Sequence, residues 1–295
     1  MHSCESAASM TKYYALAITT SYWKPGDNYT DKVIQALDGK IENGDFVVVS
    51  EKAVSTAKGS MMDESKVKPS LNARAIARFW MRIVWGYPLG VLCRFGQRLL
   101  RRLRQYPLES GSLHKQVALQ YAGFLQALMF GSEGGIDGSN LPYSYVSLPL
   151  KNAGEVAEEI QKQIFLRLKK NVCVVIADTD KTYRFRNFYF TPRPKPIKGI
   201  HSFGGTATYV MGRMMKLKKS STPLAVAGGS LQAGEALKIT NIADRARGAG
   251  SGATVWDMAA RFQVEVNGVS WKMLSEIKHR PLVIVRRMQV KLIRK

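Results

Sequence analysis

The chain has 295 residues, of which 45% are hydrophobic and 22% are charged, so it can bury one large core or two smaller ones. Lysine and arginine number 44 against 22 acidic residues, which gives a formal net charge of +22. The composition excludes a disordered chain, and no run reaches the roughly 18 uncharged apolar residues that predict a membrane span.

The cysteines and the first ten residues indicate in which cellular compartment the protein is expected. Cys4, Cys93 and Cys173 lie far apart, without the spacing of a metal site. The first ten residues contain neither the basic nor the apolar region of a secretory signal. These features predict a cytoplasmic protein with reduced cysteines.

The positive charge is concentrated in two blocks. Residues 65–108 and residues 181–234 each contain ten lysines or arginines and no acidic residue. Such fields attract polyanions, which include nucleotide phosphates, RNA and an anionic membrane surface. The charge alone does not choose among these partners.

The N-terminal part predicts two strands with a helix between them. Residues 11–20 and 45–50 read as strands, and residues 29–37 as a short amphipathic helix. The polar residues 51–59 that follow are predicted to form a loop. This loop either holds phosphate oxygens or is an ordinary solvated connection; its polar side chains are Lys52, Ser55, Thr56 and Lys58.

The first basic block, residues 72–104, has helical periodicity. Arg74, Arg78 and Arg82 recur every four residues on one face, opposite apolar side chains. We expect an interruption at Gly86, Pro88 and Gly90, and a second helix over residues 93–103. The basic face could bind RNA or a membrane surface. We favour a face that is solvated or lines the mouth of an anion-binding cleft.

A glycine-rich segment, residues 131–140, follows this helical region. Its glycines allow the backbone to approach a ligand closely, and Asp137 and Asn140 supply an acid and an amide. A plain turn is the alternative interpretation.

Residues 172–177 predict a strand that is buried on both faces, because they are apolar and mostly β-branched. Asp178, Thr179 and Asp180 come directly after it. Carboxylates at the end of a buried strand favour a cleft that holds a cation, and hard oxygen ligands suit Mg²⁺ or Mn²⁺. A turn or a helix cap is the alternative.

Alternating glycines at Gly248, Gly250 and Gly252 can form a phosphate-binding nest, although the Gly-Lys-Ser/Thr ending of a P-loop is absent. The elements together predict an α+β fold with mixed, largely antiparallel sheets and packed helices. We expect residues 1–180 to carry the metal and nucleotide motifs, and the basic residues 181–295 to complete the fold.

Three segments together resemble the γ-glutamyl ligase family of deazaflavin coenzyme F-420 biosynthesis. They are GDFVVVSEKAVSTAKG at 44–59, GGIDGSN at 134–140 and VVIADTD at 174–180. YWKPGDN at 22–28 is similar to the N-terminal loop of that family. The resemblance covers roughly residues 12–180 and is fainter beyond them.

The family joins L-glutamate to a phospholactate-linked deazaflavin with GTP and a divalent metal. The resemblance therefore implies a GTP-dependent ligase with Mg²⁺ or Mn²⁺, an anionic acceptor, an amino acid substrate and a homodimer. It assigns the metal to Asp137, Asp178 and Thr179, and the nucleotide to Glu51, Lys52, Thr56, Asn140, Gly248, Gly250 and Gly252. We expect Lys52 and Arg184 to stabilise the transferred phosphoryl group.

The chain departs from the family at several positions. The family usually has lysine where Thr56 stands, and an Asp-Thr-x-Gly-Arg run where this chain has DTDKT at 178–182. The acid-containing segment that follows in the family is replaced by the acid-free second block. We therefore expect nucleotide and metal binding to persist while the acceptor differs.

Two other functions fit parts of the sequence. Residues 174–182 also match the haloacid-dehalogenase phosphatases, with Asp178 as nucleophile and Asp180 as acid, but only Asp244 and Asp257 follow as further aspartates. The net charge alone favours a non-catalytic, RNA-associated protein.

Overall fold

The computed structural model describes residues 12–131, 133–248, 250–252 and 254–288, so Thr11, the first residue of the predicted N-terminal strand, lies outside it. The fold is α+β, as predicted. Among the described helices, none has both the length and the apolar composition to cross a bilayer.

The main sheet is mixed. In chain order the strands are β1 (Lys12–Thr20), β2 (Phe46–Ser50), β3 (Met61–Asp63), β4 (Tyr145–Ser147), β5 (Cys173–Phe185), β6 (Phe188–Thr191), β7 (His201–Ser202), β8 (Lys218–Ala227) and β9 (His279–Met288). The path of the main sheet is β1-β9-β2-β5-β6-β7, and β8 also pairs with β5, while β3 and β4 form a separate pair. Only β2–β5 and β6–β7 are parallel among the described pairs, which confirms a largely antiparallel sheet.

Helices cover both faces of the sheet. In chain order the helices are α1 (Tyr29–Leu37), α2 (Glu51–Ala57), α3 (Leu71–Ala75), a π-helix (Ile76–Leu89), α4 (Gly90–Leu92), α5 (Gln97–Arg104), α6 (Leu108–Tyr121), α7 (Phe124–Ala127), α8 (Ala153–Leu168), α9 (Thr206–Met214), α10 (Ala233–Arg247), α11 (Val255–Phe262) and α12 (Trp271–Ser275). Val174 and Ile176 pack with α1 and α8, whereas Val175 packs with α10. Burial on both faces explains the continuous apolar run of β5.

The prediction of a loop after β2 was wrong, because residues 51–57 form α2. Ser50 is the last extended residue, and Glu51 places an acid in the first turn, which favours a helix start. Ala53 and Val54 pack into the core beneath the sheet. The polar side chains of this segment are therefore held on a rigid helix.

The predicted interruption of the first basic block was also misplaced. The backbone runs without a break through α3, the π-helix and α4, and Pro88 lies inside the π-helix. In a π-helix each backbone N–H bonds to the carbonyl oxygen five residues earlier, rather than four residues earlier as in an α-helix. The backbone around Pro88 therefore has a wider turn than an α-helix would give it. The chain breaks after Leu92 instead, where Arg94 takes a left-handed conformation with φ 56°.

The strand β5 is longer than predicted and continues through the acidic triplet to Phe185. Its pairing with β8 passes from Asp178 opposite Thr222 to Lys181 opposite Ser221, so the register shifts there by two residues. Such a bulge bends a strand and redirects its side chains. Thr179 is consequently exposed, whereas Asp178 before it is half-buried and Asp180 after it is buried.

Candidate functional site

Two adjoining cavities lie beside this bulge. The smaller cavity has a volume of about 460 Å³ and the larger cavity about 920 Å³. Asp137, Thr179 and Lys181 line both of them. A ligand in one cavity can therefore meet a ligand in the other at these three side chains.

The smaller cavity collects most of the residues predicted to bind a nucleotide. They come from α2, from the glycine-rich segment and from the segment after α10, which are far apart in sequence. Of the predicted nucleotide residues, those that line this cavity are Lys52, Thr56, Asn140, Gly248, Gly250 and Gly252. Glu51 does not line either cavity of the described structure.

Asp137 and Lys52 form an ion pair at the wall shared by the cavities. The Lys52 ammonium donates to the Asp137 carboxylate and to the carbonyl oxygen and hydroxyl of Ser139, at 3.1 and 2.9 Å. The Ser139 backbone N–H donates to Oδ1 of Asp137 at 2.7 Å. Burial raises the pKa of Asp137, but Lys52 and these hydrogen bonds outweigh it and hold the pKa below its ordinary value. Asp137 is therefore ionised at neutral pH.

Asn140 joins the glycine-rich segment to the chain beyond α10. Its Oδ1 accepts hydrogen bonds from the backbone N–H of Ser251, at 2.8 Å, and from the Ser251 hydroxyl. Its backbone is left-handed, with φ 57°, a conformation that asparagine tolerates. A Cβ atom at Gly250 would lie 2.7 Å from this Oδ1, so only glycine fits there. The two predicted segments thus form one wall.

Arg193 binds Glu51 and Asp178 at the same time. Its Nη2 donates to Oε1 of Glu51 and its Nε to Oδ2 of Asp178, both at 2.6 Å, and its Nη1 donates to the Gly134 carbonyl oxygen at 2.7 Å. Burial raises the pKa of Glu51, Arg193 lowers it and Asp178 raises it, which leaves the pKa at about 7. Asp178 lines neither cavity in the described part of the chain.

The two aspartates assigned to the metal are connected through consecutive residues. Lys52 holds Asp137, and Glu51 shares Arg193 with Asp178. Each aspartate is thus already paired with a cationic side chain, Asp137 with Lys52 and Asp178 with Arg193. Among the described residues, no three histidine, cysteine, aspartate or glutamate side chains are grouped so that they could hold a metal ion.

A magnesium ion that arrives with a nucleotide does not require such a group. Mg²⁺ is commonly held by one or two carboxylates together with substrate phosphates and water. Asp137 and Thr179 fit this pattern, because they present hard oxygen atoms to both cavities.

Arg184 is not brought to the site. It is exposed near the end of β5, where its Nε donates to the Arg186 carbonyl oxygen at 2.8 Å and its guanidinium lies over the Tyr189 ring. The described linings of both cavities do not include it.

The sequence did not identify two basic residues of the site, Lys181 and Arg247. The Lys181 ammonium donates to Oδ2 of Asp244 at 3.0 Å. Arg247, the last residue of α10, lines the smaller cavity, and its buried Nε and Nη2 atoms have no hydrogen-bond partner within the described residues. Burial lowers the pKa of Arg247, while Asp244 and Asp178 oppose that change. Arg247 therefore presents unused donors beside the predicted phosphate nest.

The larger cavity has mostly apolar walls. Phe130 and Trp256 stack there with their ring centroids 6.3 Å apart, and Tyr106 packs edge-on against Trp256. The Arg102 guanidinium lies over the Trp256 ring. Such walls suit a bulky ligand whose position is fixed by few polar groups.

A buried ionic cluster lines part of the larger cavity. His114 contacts Glu64 at 2.6 Å and Glu133 at 3.0 Å, and the fully buried Lys115 contacts Glu133 at 2.5 Å. Burial lowers the pKa of His114, but the two carboxylates outweigh it and raise the pKa to about 10. The imidazole is therefore protonated at neutral pH.

Comparison with known proteins agrees with the resemblance of the motifs. The family model described as F420-0:Gamma-glutamyl ligase matches residues 17–244. The uncharacterized protein MJ1361 of Methanocaldococcus jannaschii is 37% identical over 284 residues, which cover 92% of this chain and 96% of that protein. The chain belongs to the F420-0:gamma-glutamyl ligase family.

Proposed function

We propose that this protein is a GTP-dependent ligase that joins an amino acid, L-glutamate, to a carboxyl group of an anionic acceptor. Family membership supports the formation of an amide bond. The observation that carries the nucleotide assignment is the smaller cavity, which gathers six of the residues predicted for GTP from three distant segments.

The reaction proceeds through an activated carboxyl group. The acceptor carboxylate attacks the terminal phosphorus of GTP, and GDP leaves with the electron pair of the broken P–O bond. The amino group of glutamate then attacks the acyl carbon. A C–N bond forms, the C–O bond to phosphate breaks, inorganic phosphate leaves, and the amine loses a proton.

The basic residues of the site offset the negative charge of this transfer. Phosphoryl transfer depends on positioning and electrostatic stabilisation. Lys52, Lys181 and Arg247 line the smaller cavity and would contact phosphate oxygens. Arg193 acts indirectly, because it fixes Glu51 at the start of the helix that carries Lys52.

We assign the divalent cation, Mg²⁺ or Mn²⁺, to Asp137 and Thr179, whereas Asp178 is paired with Arg193. The ion would neutralise phosphate charge when it is bound with GTP. In the same proposal the nucleotide occupies the smaller cavity and the acceptor occupies the larger one. The protein is a homodimer, as the resemblance of its motifs implies.

Calorimetric titration tests the nucleotide assignment. GTP and ATP are added to the wild type with Mn²⁺ or Mg²⁺, and to Lys52→Ala, Asp178→Ala and the exposed control Asp38→Asn. We expect tighter binding of GTP than of ATP, a Kd at least about tenfold higher in Lys52→Ala, and no change in the control. A folded wild type that binds neither nucleotide contradicts the proposal.

The geometry favours this function over a phosphatase with Asp178 as nucleophile. Oδ2 of Asp178 accepts a hydrogen bond from Arg193, and Asp178 does not line the described cavities. Phosphatase turnover without added nucleotide, abolished in Asp178→Asn, would instead support the phosphatase.

A further inference from the structure

The helix formed by residues 71–92 carries large exposed apolar side chains on its outer face, where the Arg104 guanidinium lies over the Tyr87 ring. Phe79, Ile83, Tyr87 and Val91 are 57, 53, 53 and 60% exposed. They lie four residues apart, and four to five residues make one turn of a π-helix, so they form a stripe along the helix. Leu71 extends the apolar face at one end, with an exposure of 81%. We call these five side chains the apolar stripe.

The inner face of the same helix is apolar too. Ile76, Met81 and Trp85 are buried in the core of the helical region. A surface helix normally carries polar side chains on the face opposite its core. Large apolar side chains that are exposed beside arginines on the outer face therefore favour a second partner for that face.

The apolar stripe lies in a strongly basic environment. Arg74, Arg78, Arg94 and Arg101 are exposed on this helix and on the chain that follows it. Within the described residues, none of these four has an ion-pair partner among the salt bridges of the structure. Residues 65–108 contain no acidic side chain at all. The partner must therefore supply both apolar volume and negative charge.

We propose that the apolar stripe and its arginines dock on the surface of an anionic lipid bilayer. Amphipathic helices with bulky apolar side chains and flanking basic residues lie in the membrane interface in this way, and anionic headgroups attract the basic residues. The aliphatic and aromatic side chains would enter the headgroup and acyl boundary, and the arginines would contact lipid phosphates.

A second copy of the chain fits this surface less well. A symmetric dimer interface places the same surface patch on both subunits. It would bring two acid-free sets of arginines together without neutralising them. RNA also fits less well, because RNA-binding surfaces stack bases on aromatic rings, whereas three of the five side chains of the apolar stripe, Leu71, Ile83 and Val91, are aliphatic.

Docking would place the larger cavity next to the membrane. Met81, on the inner face of the same helix, lines that cavity together with Arg102 and Tyr106 of the adjoining segment. Membrane binding itself does not depend on the ligase activity, so its test stands apart from the nucleotide titration.

Vesicle flotation tests the proposal. The full-length protein is mixed with vesicles of phosphatidylcholine alone or with phosphatidylglycerol added. We expect binding to the anionic vesicles that weakens as salt is raised. The double variant Phe79→Ser/Ile83→Ser should lose at least about tenfold in affinity, and Arg74→Gln/Arg78→Gln a similar factor.

A matched control removes equally exposed apolar side chains elsewhere. Phe165 and Leu166 on α8 are 46 and 48% exposed, and Phe165→Ser/Leu166→Ser should bind as the wild type does. Circular dichroism melting verifies that each variant is folded.

Three outcomes would overturn the proposal. The first is a folded wild type that floats with neither vesicle. The second is a loss of self-association in Phe79→Ser/Ile83→Ser by analytical ultracentrifugation, which assigns the stripe to a second copy. The third is salt-sensitive RNA binding that these two substitutions abolish without an effect on vesicles.

Discussion

Arg247 has two buried donor atoms, Nε and Nη2, that lack a hydrogen-bond partner within the described residues. Buried donors without a partner cost free energy in the absence of a ligand. Such a cost is typical of a binding residue that gains its partners only when an anion arrives.

We predict that Arg247→Met weakens GTP binding by about ten- to hundredfold, because a charge-assisted contact to phosphate is worth about 1.5–3 kcal/mol. The same substitution should raise the Tm of the nucleotide-free protein. Titration calorimetry and thermal melting measure the two effects. The control Arg245→Met, on an exposed position of α10, should change neither. If Arg247→Met lowers Tm and leaves GTP binding unchanged, Arg247 is a structural residue.

His114 predicts a specific pH dependence of stability. Its pKa is raised from 6.5 to about 10, so its contribution is fully present below about pH 6.5 and is lost as pH rises through 10. Denaturant unfolding of the wild type should therefore show a fall on the order of 2–4 kcal/mol between pH 7 and pH 10.

Substitution isolates this contribution of His114. In His114→Gln the fall should be largely absent, whereas the exposed His201→Gln should behave as the wild type does. If the free energy of unfolding falls equally with pH in His114→Gln and in the wild type, other groups cause the pH dependence.

At the scale of single residues, the sequence predicted the lining of the smaller cavity only in part. Asn140 and the glycines after α10 could be predicted because their signals are local. Arg193 and Arg247 could not, because two arginines among 44 basic residues have no local signature. The two carboxylate partners of Arg193 lie 15 and 142 positions away, and only the folded chain brings them together.

Among the elements, the helix formed by residues 71–92 packs against α5 so closely that added volume at Gly90 is not accommodated. A Cβ atom at Gly90 would lie 2.3 Å from the Trp85 carbonyl oxygen and 2.5 Å from Cδ2 of Leu100. The carbonyl belongs to the backbone and cannot move aside.

We predict that Gly90→Ala lowers the free energy of unfolding by about 1–3 kcal/mol, as overpacking in a core does. Gly96→Ala is the matched control, because a Cβ atom there has no neighbour within 4 Å in the described structure. Chemical denaturation measures both. Equal stability of the two variants would mean that the helix tolerates a shift at Gly90.

The elements also differ in how well their sequences predict them. The helix at 29–37 has a clear apolar face and an asparagine cap, Asn28, and its bounds were predicted correctly. The seven residues of α2 are too few to show a helical period, and serine and threonine within them are also common in loops. The extension of β5 through its bulge depends on pairing with β8, which no local pattern reveals.

On the scale of the whole molecule, β9 holds the sheet together. It lies between β1 and β2 and pairs with both. Its residue Val283 is fully buried, whereas Met288 at its end is 52% exposed.

We predict that Val283→Asp abolishes the folded state, because an unpaired charge would be buried at the centre of the sheet. Met288→Asp should retain a cooperative thermal transition within a few degrees of the wild type. Circular dichroism melting compares them. A cooperative transition in Val283→Asp would show that β9 is less central than its pairing indicates.

The position of β9 has a consequence for biosynthesis. In the described sheet β1 hydrogen-bonds only to β9, with Lys12 opposite Met288 and Ile18 opposite Leu282. A nascent chain on the ribosome exposes β1 long before β9 is made. The β1–β9 pair can therefore form only after β9 has emerged, and until then β1 is a segment that chaperones can bind.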